Sequence, residues 1–542
     1  MTNLDSRTLI GRITGVVGFQ GAMLILIGLG ILLRTLSVLF SIPRADGAFY
    51  ATLGYNLVNQ GDYISLNGAK TYNFSLTFPA YLAAFYAVFG FSIIVTQLAS
   101  FLLSLLVVVL SYFATRNLFD QRKALIVAAV LSMTSALIVV TGKNYIENIV
   151  LLFFIPTVWA LIKGFEDSRY LPLGAFFAGM SYYTKTDVGL YIALGGMLAF
   201  AVWRFLYLRL QMFKDKYYWL AFAVIVLMVA GRFLLVSLGN VPSQSLTRTI
   251  SISFNITVFL FQCLLHMFLV LGFFIFWYPE TRRALSRYRE ENTSFVLLLI
   301  GALTLLAILS ATAWGLLSAK VLIGVSREYI TIIYIPAMWM FFRYAKQNLN
   351  QERRGFLTSL REFLRSRRRL LAFVASLALA TVMIFFDDWL AVMIFFGAFC
   401  FPFQEPSRRL AILFVALTVL SANAVTAVYR PAYVDAAEEI NETLQSGEVI
   451  ALARENGSSY LTLDRVFPYF SRRDISLQIY EGGSGSDYII SETAESYPSY
   501  KLVGTFEGES RPSALSLAKD RILGKGGRQH YPEKTVYLWI RS

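Results

Sequence analysis

Six long apolar runs set the first limit on what this chain can become. Val16–Leu33, Ile93–Tyr112, Ala124–Val140, Trp219–Leu238, Val258–Trp277 and Ser294–Trp314 each reach or approach the length of a membrane-crossing helix. About 20 apolar residues suffice to span about 30 Å of hydrocarbon. In lipid the backbone must satisfy its own polar groups, and these runs lack the alternation of barrel strands, so they are read as helices. Composition agrees: charged residues are 15% of the 542, whereas soluble proteins carry roughly a quarter. The first run is too long for a signal-peptide core and no small-residue cleavage site follows it, which predicts a retained first helix.

Charge then sets the orientation. Of the 36 basic residues before position 431, 26 fall at the N-terminus and in the loops Arg116–Lys123, Lys163–Arg169, Arg204–Lys216, Arg282–Arg289, Arg343–Arg369 and Arg408–Arg409. Placing these segments in the cytoplasm satisfies the positive-inside bias. The threading predicts a multi-pass plasma-membrane protein of about 13 transmembrane helices, with short spans near 148–163, 171–184 and 388–402. The nine basic residues of 343–369 predict contact with the anionic inner leaflet. Outside, residues 41–78 form a long first loop with a helical piece at Gly47–Asn59. Residues 79–90 are apolar but too short to cross.

Residues 431–542 hold 12 Lys/Arg against 16 Asp/Glu, whereas the rest holds 36 against 18. This reversal divides the chain into a transmembrane domain, 1–430, and a small extracytoplasmic α/β domain, 431–542. An amphipathic helix is expected at Tyr433–Leu444, with strands at Val449–Ala453, Tyr460–Leu463, Tyr488–Ser491, Leu502–Phe506 and Val536–Ile540. Two cysteines, Cys263 and Cys400, and two histidines, His266 and His530, provide no zinc set. The basic residues sit in short loops between apolar runs, a topology signal and not a nucleic-acid footprint. No cofactor is implied.

On this threading the exterior helix ends collect four pairs of charges: Arg44 with Asp46, Lys143 with Glu147, Lys185 with Asp187, and Arg327 with Glu328. Charge at a lipid interface is costly, so its recurrence on one face points to a site. Cations beside carboxylates suit an anionic headgroup next to an acid/base reaction. The plainer alternative is a set of interfacial ion pairs at helix ends, with Asp46 as the N-cap of the 47–59 helix. Arg232, the exception inside an apolar run, is expected to snorkel outward.

The segment RADGAFYATLGYNLVNQGDY resembles the first exterior loop of GT-C glycosyltransferases, a superfamily that includes protein O-mannosyltransferases and the aminoarabinose transferase of lipid A. There an acidic residue precedes a Tyr-containing helix and a Gly-Asp-Tyr/Trp turn, matching Asp46, Tyr50 and Gly61-Asp62-Tyr63 here. FPAYLAAFYAVFGFS resembles the Pro-containing helix ending in Phe-Gly, and NYIENIVLLFF the acidic start of a span, at Glu147. FAGMSYYTKTDVGL and SREYITIIYIP resemble the Thr-Lys-Gly and Arg-Tyr…Pro motifs, the latter at Arg327, Tyr329 and Pro336. The lysine that precedes the loop proline in the aminoarabinose transferase is absent here. Lys70 is the nearest substitute for it.

The resemblance implies a polyprenyl-phosphate sugar donor and transfer to a protein, lipid or glycan acceptor, with inversion. Asp46 would be the base and Glu147 its companion carboxylate. Lys185, Arg327, Arg44, Lys143 and Lys70 would face the donor phosphate, with Tyr50, Asp187 and Tyr329 lining the pocket and no metal required. The rivals are a transporter or flippase of a lipid-linked glycan, and a scaffold whose exterior domain binds partners.

Overall fold

The computed structural model describes residues 6–41, 45–64, 70–72, 75–185, 213–238, 356–383, 388–402, 406–426, 428–430, 432–443, 448–453, 476–479, 486–491, 499–506, 509–511 and 536–541, with Tyr497 and short pieces between 196 and 342. Five helices among the described residues are long and apolar enough to cross a membrane, or six if one bent pair is a single span. The expected spans at 258–277 and 294–314 lie outside the described residues.

The apolar runs extend further than hydropathy marks them. The first becomes α1, Ser6–Phe40. α2, Ala45–Gln60, covers the anticipated loop helix, and α3, Thr77–Phe89, covers the short apolar piece. α4, Ile93–Leu118, opens on an N-cap at Ser92, whose hydroxyl accepts from the Val95 N–H at 3.1 Å. Gln97 of α4 donates from Nε2 to the carbonyls of Val38 and Ser41 at 2.8 and 2.7 Å. In lipid the last carbonyls of α1 need such partners.

The run Ala124–Val140, read above as one stretch, is two helices. α5, Gln121–Ser132, and α6, Ser135–Gly142, meet at a 54° bend. The cause is local, in Ser132-Met133-Thr134-Ser135. The Ser132 and Thr134 hydroxyls bond back to the carbonyls of Ala129 and Val130 at 2.9 and 2.7 Å, which competes with the helical ladder.

α7, Glu147–Glu166, is longer than its expected span and tolerates Pro156 in its interior. α8, Leu171–Thr184, packs between α7 and α9, Lys216–Leu238. Gly179 lets α9 approach, since a Cβ there would lie 2.7 Å from Met228. α10, Phe356–Arg365, carries part of the basic stretch and leads into α11, Arg367–Met383. α12, Asp388–Ala398, and α13, Pro406–Thr426, close the helical part.

A layer of α14, Ala432–Thr443, and a five-stranded sheet follows. Its strands are β2 (Val449–Leu452), β3 (Ser476–Ile479), β4 (Tyr488–Ser491), β5 (Tyr500–Phe506) and β7 (Val536–Arg541), in the order β3-β2-β4-β7-β5. β2 runs parallel to β3 and β4, while β7 is antiparallel to β4 and β5. Reading the sequence missed β3 and the separate pair β1 (Val428–Arg430) with β6 (Glu509–Arg511). The expected strand at 460–463 lies outside the described residues.

One apolar cluster joins α2 and α3 to this layer. Ala48, Leu53 and Phe78 share it with Ile149 of α7, Ala436 and Ile440 of α14, and Ile450, Ile490 and Leu538 of the sheet.

Candidate active site

The turn between α6 and α7 is the anchor of the site. Its backbone closes tightly, with the Lys143 and Tyr145 N–H groups donating to Val139 and Val140 at 3.0 and 3.1 Å. Asn144 sits in the left-handed region at φ 57°, a conformation asparagine tolerates better than most residues. Glu147 then opens α7, where the exposed helix N–H groups favour a carboxylate.

Glu147 is 5% exposed, and its Oε1 accepts from Lys185 Nζ at 2.8 Å. Lys185 is placed by the end of α8, where its extended backbone (φ −144°, ψ 111°) terminates the helix. The second oxygen of Glu147 and the side-chain oxygens of Asn144 and Asn148 are buried and accept no hydrogen bond among the described residues. Both amides are oriented by their donors: Asn144 Nδ2 bonds the Gly47 carbonyl at 3.0 Å and Asn148 Nδ2 bonds Thr141 Oγ1 at 3.1 Å. The turn thus gathers buried acceptor oxygens beside one ammonium.

α2 delivers Asp46 to this turn. The helix begins at Ala45, so Asp46 lies inside its first turn, exposed, and is not the cap. Gly47 permits the contact, because a Cβ there would fall 2.2 Å from the Lys143 carbonyl oxygen. Lys143 holds its ammonium 5.7 Å from the Tyr145 ring centroid. One turn along α2, Tyr50 is buried, edge-on to Phe78. The start of α2 therefore abuts the turn at Lys143 and Asn144, three residues before Glu147, whose carboxylate holds Lys185. Arg44, Asp187, Arg327 and Tyr329 lie outside the described residues.

The loop before α3 is tied to the same place. The Leu76 N–H donates to the Tyr183 carbonyl at 3.0 Å, and the hydroxyls of Thr77 and Thr184 meet at 2.7 Å. Tyr63 OH reaches the Leu76 carbonyl at 3.0 Å. Lys70 is committed to Asp62, at 2.7 Å, and the Tyr72 hydroxyl donates to the same carboxylate. Burial raises the Asp62 pKa, but Lys70, Tyr72 and the Tyr63 N–H outweigh it and hold the group below its ordinary range.

Arg232 is fully buried, its guanidinium 5.7 Å from the ring centroid of Tyr183 at the end of α8. A buried cation therefore stands among the tyrosines that flank Lys185. An arginine inside an apolar helix was the signal that could have placed it here.

The fold has known relatives. Residues 75–234, from the loop before α3 to α9, match the family model described as dolichyl-phosphate-mannose-protein mannosyltransferase. The crystal structure of ArnT from Cupriavidus metallidurans bound to undecaprenyl phosphate superposes with a TM-score of 0.56 at 14% identity, covering 96% of this chain and 98% of that one. The apo state of the same protein gives 0.52 at 17% identity, over 86% of both chains. The sequence matches none of the curated proteins.

Proposed function

We propose that this multi-pass membrane protein, a glycosyltransferase of the GT-C type, moves a sugar from a polyprenyl-phosphate carrier to an acceptor outside the cytoplasm. The observation that carries the reading is the buried Glu147–Lys185 pair at the α6–α7 turn, against which the start of α2 packs through Gly47. The ArnT structure is bound to undecaprenyl phosphate, a ligand whose chemistry suits a site holding an ammonium at the end of a membrane helix.

The chemistry follows from charge. As the anomeric C–O bond breaks, negative charge grows on the departing phosphate. A fixed cation stabilises that state more than the ground state. Lys185 takes this part, held in place by Glu147, with Arg327, Arg44 and Lys143 as further cations. The acceptor hydroxyl attacks the anomeric carbon from the opposite face and gives its proton to Asp46, so configuration inverts. Glu147 fixes the ammonium through its first oxygen. Lys70 serves the loop through Asp62, and Tyr50 and Arg232 line the pocket wall.

The test is transfer from a radiolabelled undecaprenyl-phosphate sugar by the purified protein in nanodiscs. Wild type should form glycosylated product. Asp46→Asn should remain folded and lose turnover. Near-normal turnover in that variant ends the assignment of the base. Solute flux without product would favour a transporter.

A further inference from the structure

We propose that Arg34 is a positioning residue: its guanidinium pins the break between α5 and α6 and thereby fixes the turn that carries Glu147. The inference rests on the reading of that turn as the reacting site.

Arg34 lies inside α1 and is 1% exposed. A charge so placed is costly unless it is fully engaged. Its Nη2 donates to the Leu131 carbonyl at 2.8 Å, its Nη1 to the carbonyl of Ser132 and more weakly to Gly30, and its Nε to Ser104 Oγ at 2.6 Å. No carboxylate pairs with it among the described residues. The two α5 carbonyls are at the C-terminus of that helix, where unsatisfied C=O groups carry its partial negative charge. The helix end is the counter-charge.

The next carbonyl, Met133, accepts from Ser421 Oγ of α13 at 2.5 Å. Three successive carbonyls at the 54° bend are therefore taken by side chains from other helices. A hydroxyl suffices to satisfy a carbonyl, as Ser421 does. The guanidinium does more, because its planar fork joins α1, α4 and α5 at one point.

Beyond the bend α6 is a short arm. Its eight residues make a rod of about 12 Å. It is held to α1 by Ser37 Oγ donating to Ile138 O at 3.0 Å, and to α4 by Ser100 Oγ donating to Thr141 O at 3.0 Å. At its tip a Cβ on Gly142 would lie 2.4 Å from Ser37 Oγ, so the arm has no slack against α1. Lys143, Asn144 and Glu147 follow directly. A tilt at the bend reaches them undiminished, and a displacement of about 1 Å can cost roughly a hundredfold in rate.

The experiment compares wild type, Arg34→Lys and Arg34→Met in nanodiscs by hydrogen exchange, undecaprenyl phosphate binding and turnover of the radiolabelled donor. Arg34→Met should raise exchange in peptides covering 131–147 while peptides of α7 and α9 stay protected. It should lower kcat by roughly tenfold to a hundredfold, with the donor KM and undecaprenyl phosphate affinity within about twofold. Arg34→Lys keeps the charge without the fork and should fall between. Unchanged exchange at 131–147, or unchanged kcat, overturns the proposal. So does a uniform loss of folded protein with Lys and Met alike. Wild type lacking all transfer would defeat the functional reading instead, and the exchange arm would still decide whether Arg34 holds the turn.

Discussion

Glu147 and Lys185 stabilise each other where neither is well placed alone. Breaking a buried ion pair by removing one partner costs roughly 3–5 kcal/mol. The lower end applies here because a fifth of the Lys185 side chain, 20%, stays exposed. Glu147→Gln should therefore lose about 3 kcal/mol in thermal or denaturant unfolding, and Glu147→Gln with Lys185→Met should lose less than the sum of the two. Additive losses would mean that the pair is not coupled. Lys185→Ala should also raise the apparent KM for the lipid-linked donor, and an unaltered donor titration would remove Lys185 from the phosphate site. At Asp62 the pKa is depressed, so its contribution is present above the ordinary 3.8 and is lost as pH falls through the lower folded value. Lys70 is raised above 10.5, so its contribution is lost only as pH rises past that. Limited proteolysis of residues 61–72 should be flat from pH 5 to 9, about the window these directions leave. Asp62→Asn should make the loop cleavable at neutral pH. Glu147 and Lys185 were legible from the sequence as charged helix ends. Which cation meets which carboxylate was not, because pairing depends on the packing of α2, α6 and α8. Lys70 was assigned to the phosphate from its place in the chain, and the structure gives its ammonium to Asp62.

Helix ends, more than helix middles, organise the site. α2 meets the α6–α7 turn through Gly47, whose missing Cβ lets the Lys143 carbonyl approach. Gly47→Ala should separate the two elements and reduce turnover more than it lowers donor binding, measured as kcat against KM. Equal turnover would show that the contact is dispensable. Asp120 caps α5 through the Lys123 N–H at 2.9 Å. Its replacement by Ala should cost about 1 kcal/mol in unfolding without changing kinetics. The existence of α1, α4 and α9 could be read from apolar length alone, whereas α7 was legible only as a short span. The break between α5 and α6 could not. Its serines and threonines suit a membrane helix as well as a bend, and the bend persists because Arg34 and Ser421 satisfy the carbonyls it frees.

At the scale of the molecule, the α14–sheet layer shares its apolar core with α2, α3 and the start of α7. Ending the chain after Arg430 would strip that cover from the helices holding Asp46 and Tyr50. Such a protein should aggregate or lose activity together with its monodispersity in detergent. A stable, active truncation would show that the layer is accessory. The charge pattern predicts that this layer lies outside. Asn59→Cys should then react with an impermeant maleimide on intact cells, and Arg365→Cys only after permeabilisation. The reverse pattern would invert the topology.

Apolar length determined, without any tertiary information, that this chain is a helical membrane protein, since lipid leaves the backbone no other open solution. The order of short motifs pointed to a polytopic helical fold, and the superposition with ArnT shows a fold of that kind shared along nearly the whole chain. Packing alone decided that Glu147 holds Lys185, that Arg232 is buried among tyrosines, and that Arg34 fastens a broken helix. Each of these joins residues 38 or more positions apart. Hydropathy records how a residue meets its solvent, and carries no trace of which distant side chain it will meet instead.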